Sequence, residues 1–137
     1  MKHKILIADD DENIRVALEY AFADHIVITA CDGQAAMCVI AAERPSVVLL
    51  DLKMPLMDGL EVLGALKGIK DKPLIIMLTG NDELEMVNKA LEMGALSYIT
   101  KPFEFDVIRK VVLSALADRE GVKKPGDRPW RVKKTGD

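Results

Sequence analysis

Apolar residues recur along the chain in runs of strand length: Ile5–Ala8, Ile26–Thr29, Val47–Leu50, Leu74–Leu78 and Ser97–Thr100. Between them the apolar positions fall at helical spacing. Asp11–Ala23 puts Ile14, Ala17, Leu18 and Ala21 on one face, Gln34–Glu43 is rich in alanine, and Asp58–Lys67 carries Leu60, Leu63 and Leu66. Asp82–Met93 carries Leu84, Val87 and Leu91 with Gly94 as a stop, and a last helix is predicted over 104–118. Strands alternating with helices of this length predict a parallel sheet with right-handed crossovers. The nearly uninterrupted Val47-Val48-Leu49-Leu50 and Leu74-Ile75-Ile76-Met77-Leu78 suit strands buried on both faces. The expected fold class is therefore α/β, a doubly wound five-stranded parallel sheet with five helices.

Composition narrows the picture. Half of the 137 residues are hydrophobic and 30% are charged, which suits one domain with a sizeable core. The net charge of −3 argues against a whole-domain nucleic-acid binder. That charge is uneven: residues 1–117 carry 12 basic and 18 acidic side chains, residues 118–137 carry 7 and 4. Past Asp118 the apolar period ends, and Gly121, Pro125, Gly126, Pro129 and Gly136 interrupt a basic stretch that holds Trp130. We expect a domain over 1–118 and a basic tail or linker over 119–137, too short for a DNA-reading module. Neither a signal peptide nor a membrane-spanning run is evident, and Cys31 and Cys38 have no further cysteine partner. These features predict a cytoplasmic protein with two buried thiols. Surface positions are expected for His3 and His25.

The chemistry gathers at the strand ends. In an open α/β sheet the site lies beyond the carboxyl ends of the strands. Here strand one ends in Asp9-Asp10-Asp11, strand three in Asp51 and strand four in Thr79-Gly80, while Lys101-Pro102 follows strand five. Asp11 is expected to cap the first helix. Clustered carboxylates repel unless a cation joins them, and hard oxygen ligands suit Mg²⁺. Beside a lysine and a hydroxyl, such a cluster can hold a transferring phosphoryl group. An aspartate can itself be the nucleophile, and Asp51 on the central strand is best placed for that.

The ordered segments Ile5-Leu6-Ile7-Ala8-Asp9-Asp10-Asp11, Val48 to Gly59, Met77-Leu78-Thr79-Gly80 and Gly94 to Phe103 are similar to those of the receiver domain of two-component response regulators. The resemblance runs from about Lys4 to Ala117. It implies a flavodoxin-like fold with strand order 2-1-3-4-5 and a Mg²⁺-dependent phosphoacceptor, Asp51, supplied by a sensor histidine kinase or a His-phosphotransfer protein. It further implies that Asp10 binds Mg²⁺ directly and Asp9 through water, with Asp51 and the Lys53 backbone carbonyl completing the protein ligands. By the same resemblance Thr79, Gly80 and Lys101 hold the phosphoryl group, the Lys101–Pro102 bond is cis, and Tyr98 is the switch aromatic. Such a protein catalyses only its own phosphorylation and dephosphorylation, either standing alone or within a longer regulator.

Two other phosphate-handling readings fit less well. A haloacid-dehalogenase-like hydrolase needs Thr or Val where Asn13 stands, and a flavin binder needs phosphate donors where the first loop is acidic. Met54-Pro55-Leu56-Met57-Asp58-Gly59 reads as structure, with Pro55 stiffening the loop and Asp58 capping the next helix. For output, the face of helix four, strand five and helix five is implied. Met86 and Met93 are expected to project from the outer side of helix four, and the wide apolar arc of helix five suits a monomer or a weak dimer. No membrane contact and no direct nucleic-acid binding are expected.

Overall fold

The computed structural model describes residues 2–119. The chain runs β1 (Lys4–Ala8), α1 (Glu12–Ala21), β2 (Ile26–Ala30), α2 (Gly33–Glu43), β3 (Val47–Asp51), α3 (Gly59–Leu66), β4 (Leu74–Thr79), a 3₁₀ turn (Asn81–Glu83), α4 (Leu84–Glu92), β5 (Ser97–Thr100) and α5 (Phe105–Arg119). The strands form one parallel sheet, as the alternation of strands and helices predicts, in the order β2-β1-β3-β4-β5 that the resemblance implies. The crossovers leave β3 in the middle, with β1 and β4 on either side of it and β2 and β5 at the edges.

The pleat divides the core in two. Side chains alternate across a strand, so Ile5, Ile7, Val47, Leu49, Ile76 and Leu78 face one side and pack with Leu18, Phe22, Ile108, Val112 and Leu116 of the α1–α5 layer. Their neighbours Leu6, Ala8, Val48, Leu50, Ile75 and Met77 face the other side, where Ala36, Ile40, Val62, Leu63, Leu66 and Ala90 of α2, α3 and α4 cover them. The three central runs are thus buried on both faces.

Local chemistry sets the helix starts. The Asp11 carboxylate accepts from the Asn13 amide at 2.9 Å, and Asp32 accepts from the Ala35 amide at 2.7 Å. Asp58 and Glu61 form a capping box, Asp58 accepting from the Glu61 amide at 2.8 Å and donating its own amide to Glu61 at 3.2 Å. The capping roles expected for Asp11 and Asp58 are both seen. By contrast, α4 has no side-chain cap and is entered through the 3₁₀ turn.

That entry shifts the phase of α4. Met86 and Met93 pack against the core beside the buried Val87 and Ala90, while Leu84 is 45% exposed. The expectation that both methionines project outward is therefore corrected. The arc of α5 is narrower than expected as well: Ile108, Val112 and Leu116 are buried, Val111 and Leu113 pack against the core, and Val107 is exposed. Both cysteines are exposed, not buried, because Cys31 lies just past the edge strand β2 and Cys38 sits on the outer side of α2. Nor are the histidines isolated on the surface. His3 donates its amide to His25 Nδ1 at 3.0 Å, and the two rings stack at 5.8 Å.

The His25 ring is only 7% exposed. Burial lowers its pKa below the ordinary 6.5, the nearby Asp24 opposing and His3 reinforcing the effect. The unfolded chain thus binds this proton more tightly than the folded chain. The stability from this group is complete above about pH 6.5 and is lost as pH falls toward the folded value. Urea midpoints measured from pH 7 to pH 5 should fall more steeply for the wild type than for His25→Asn, and equal slopes would remove this account.

Beside it, Arg109 of α5 grips Asp24 with two bonds of 2.6 and 2.8 Å, donates to the Ala21 carbonyl at 2.9 Å and lies over the Phe22 ring. This guanidinium holds the Asp24 carboxyl well below the usual carboxylate range. At the end of α5, Arg119 donates to the carbonyls of Ser46 and Lys72. The remainder of the basic segment, with Trp130, lies outside the described residues. Among the described residues no helix is long and apolar enough to cross a membrane.

Candidate functional site

The carboxyl ends of β1, β3, β4 and β5 meet at one rim. Asp51 closes the central strand β3 and is buried, 4% exposed. Asp9 follows β1 and is fully buried, while Asp10 beside it is open to solvent. Asp9, Asp10 and Asp51 each offer a carboxylate oxygen, all within 4.8 Å of one another.

One cation enters this cluster. The Lys101 ammonium lies 2.8 Å from Asp9 Oδ2 and 3.3 Å from Asp51 Oδ1. Burial alone would disfavour the ammonium, but these carboxylates outweigh it and hold Lys101 above the ordinary lysine value. Asp51 is driven the other way. Burial first, then the charge of Asp9, push its carboxyl up to about 7, with Lys101 opposing. The rim therefore carries more negative charge than its single lysine neutralises.

The surrounding backbone is tightly specified. The Asp9 amide bonds to the Ala30 carbonyl at 3.1 Å, Asp9 Oδ1 accepts from the Asp11 amide at 2.9 Å, and Arg15 donates to the Asp9 carbonyl at 2.7 Å. Beneath Asp51, Gly59 lets α3 approach closely: a Cβ there would lie 2.5 Å from the Asp51 carbonyl oxygen. Thr79 is fully buried, and its hydroxyl donates to the Gly80 carbonyl at 2.9 Å. The Thr79 carbonyl in turn accepts from the Lys101 amide at 2.7 Å, and the Lys101–Pro102 peptide is cis. Tyr98 is half-buried on β5 and packs against the core that includes Ala90 of α4.

Asp9, Asp51 and Lys101 are thus in mutual contact, with Asp10 completing the carboxylate cluster and Thr79 placed one strand away. The Lys53 side chain points elsewhere, to Asp82 Oδ2 at 3.5 Å across the rim. Sequence reasoning missed Arg15, which reaches the Asp9 carbonyl from α1.

The residues present fit a divalent cation. Asp9 Oδ2 is buried and, apart from the ion-pair contact with Lys101, has no aligned hydrogen-bond donor. An all-oxygen donor set with one open flank suits a hard ion.

This sheet order, with an acidic cluster, a threonine and a lysine at the strand ends, defines a receiver domain. Residues 5–113 match the family model described as response regulator receiver domain, and the chain belongs to that family of two-component systems. Among curated proteins it is 40% identical over 114 residues to sporulation initiation phosphotransferase F of Bacillus subtilis (strain 168), covering 82% of this chain and 92% of that protein. It is 37% identical over 116 residues to regulatory protein AtoC of Escherichia coli (strain K12), covering 83% of this chain but only 25% of that longer one. The crystal structure of the receiver domain of NtrX from Brucella abortus superposes with a TM-score of 0.76 at 31% identity, over 82% of this chain and 97% of that one.

Proposed function

We propose that this domain, residues 1–118, is a phosphoacceptor switch in which Asp51 takes a phosphoryl group from a phosphohistidine of a sensor kinase or phosphotransfer protein. The observation that carries the reading is Asp51 itself, buried at the end of the central strand between Asp9 and Lys101 and held with a pKa near 7 by burial and by Asp9. Asp9, Asp10, Asp51 and the Lys53 backbone carbonyl would hold Mg²⁺. When bound, the ion supplies positive charge to the carboxylates and to the phosphoryl oxygens.

An Asp51 carboxylate oxygen forms the new P–O bond as the P–N bond of the donor breaks, and the electron pair of that bond stays on the departing imidazole. The Lys101 ammonium, already beside Asp51, pairs with a phosphoryl oxygen. The Thr79 hydroxyl gives up its bond to the Gly80 carbonyl and donates to the phosphoryl group, joined by the Gly80 amide. Movement of Thr79 opens room into which Tyr98 turns, and the face of α4, β5 and α5 changes. The domain acts on no separate substrate; its chemistry is its own phosphorylation and dephosphorylation. Membership of the receiver family supports a cytoplasmic placement.

Intact mass after incubation with acetyl phosphate tests the reading. The wild type should gain one phosphoryl group only with Mg²⁺, and Asp51→Asn should gain none. A gain retained in Asp51→Asn would reject Asp51 as the acceptor, and one indifferent to Mg²⁺ would reject the metal's role.

A further inference from the structure

Glu83 ends the 3₁₀ turn and stands directly before α4. Its Oε2 is buried and has no hydrogen-bond partner among the described residues. Its Oε1 lies 3.3 Å from the point that a Cβ on Gly80 would occupy, and Asp82 Oδ1 lies 2.9 Å from the same point. Two carboxylates therefore crowd Gly80. Asp82 has a partner in Lys53, 3.5 Å away, whereas the hidden oxygen of Glu83 has none. The Glu83 amide also donates to the Gly80 carbonyl at 3.1 Å, the same oxygen that takes the Thr79 hydroxyl.

Three physical consequences follow. A carboxylate oxygen buried without a donor makes the resting arrangement of this junction costly. A phosphoryl group received at Thr79 and Gly80 would bring close to two further negative charges to the same corner. Finally, Glu83 occupies the cap position of α4 but makes no side-chain cap bond there, so no side chain fixes the first turn.

From this geometry we infer that Glu83 is a positioning residue of the phosphoryl-receiving loop. It opposes the incoming phosphoryl group, leaves its buried place when the group arrives, and carries the first turn of α4 with it. This role rests on the phosphoacceptor reading. It adds a residue that sets phosphoryl affinity and links occupancy of the site to the helix that follows.

The test compares wild type, Glu83→Gln and Glu85→Gln. Glu85 is an exposed acid in the first turn of α4 and controls for charge alone. Beryllofluoride is titrated at fixed Mg²⁺, and amide shifts of Leu84–Glu92 are followed by NMR. Glu83→Gln should bind roughly three- to tenfold more tightly, the size expected of one partly screened charge. Its α4 amides should shift less on binding than those of the wild type, because the expelled charge is gone. Glu85→Gln should match the wild type in both respects. Unchanged affinity and unchanged α4 shifts in Glu83→Gln would overturn the inference, as would equal effects of the two substitutions. Failure of the wild type to bind beryllofluoride at all would overturn the phosphoacceptor reading, and this inference with it.

Discussion

Replacing Lys101 with methionine should cost the metal-free protein about 3 kcal/mol of folding stability near pH 8. The ammonium sits 2.8 Å from Asp9 and 3.3 Å from Asp51, and Asp9 is fully buried. Methionine keeps most of the aliphatic stem and removes the charge, leaving two buried carboxylates facing each other. The pH dependence identifies the cause. The Asp51 carboxyl is already held at about 7, above its ordinary 3.8, so the folded chain takes up this proton more readily than the unfolded chain. The stability from that protonation is full below about pH 4 and is lost as pH rises through about 7. Without the lysine, the loss on raising pH should be larger. Urea denaturation at pH 5.5 and 8 would show it: a deficit that grows with pH and is partly recovered by millimolar Mg²⁺. A deficit of the same size at both pH values, indifferent to Mg²⁺, would point to lost packing instead. In the same variant, acetyl phosphate labelling should slow by about 100-fold, the scale of removing one donor from a transition-state oxygen.

Gly33→Ala should be the most damaging single methyl group in the described part of the molecule. Its Cβ would lie 1.9 Å from the Met57 carbonyl oxygen and 2.6 Å from the Met57 carbonyl carbon, so backbone must yield to backbone. The loop it would push has little slack. The Met57 amide donates to the Pro55 carbonyl at 2.7 Å across a tight turn in which Leu56 has φ of +68°. That loop continues directly from Asp51, Leu52 and Lys53. We expect a loss of about 3 kcal/mol and a thermal midpoint lower by about 10 °C or more. Gly64→Ala supplies the comparison. It lies inside α3, and the nearest atom to its Cβ would be the flexible end of Met93 at 3.5 Å. There alanine should be neutral or mildly stabilising. A loss at Gly64 as large as that at Gly33, or no loss at Gly33, would show that the approach to Met57 is not what excludes a side chain there.

The five strands were legible because their runs are short, apolar and regularly spaced, whereas their order came from the resemblance to receiver domains and not from the spacing. The rim was legible because Asp51 and Thr79 each end a strand, while Asp9, Asp10 and Lys101 stand one or two residues past one. What escaped depends on phase and on distant contacts. Met86 and Met93 were placed outside because the pattern was started at Leu84, whereas the 3₁₀ turn before α4 rotates the inward face onto Met86, Val87, Ala90 and Met93. His3 and His25 meet only because β1 and β2 pair in register from Lys4 and Ile26, which sets the preceding residues side by side. Arg15 reaches back six residues to the Asp9 carbonyl, and the apolar periodicity of α1 carries no trace of that bond.

The pleated sheet also acts as a partition. Tyr98, Met86, Leu91 and Met93 belong to the layer that holds α2, α3 and α4, whereas α1 and α5 share a separate layer with Phe103 and Ile99. Because close-packed interiors do not deform continuously, we expect a rearrangement of α4 to be felt least by α1, which lies across the sheet from it. A surface formed by α1 can therefore stay constant for whatever docks there while the opposite side changes its message.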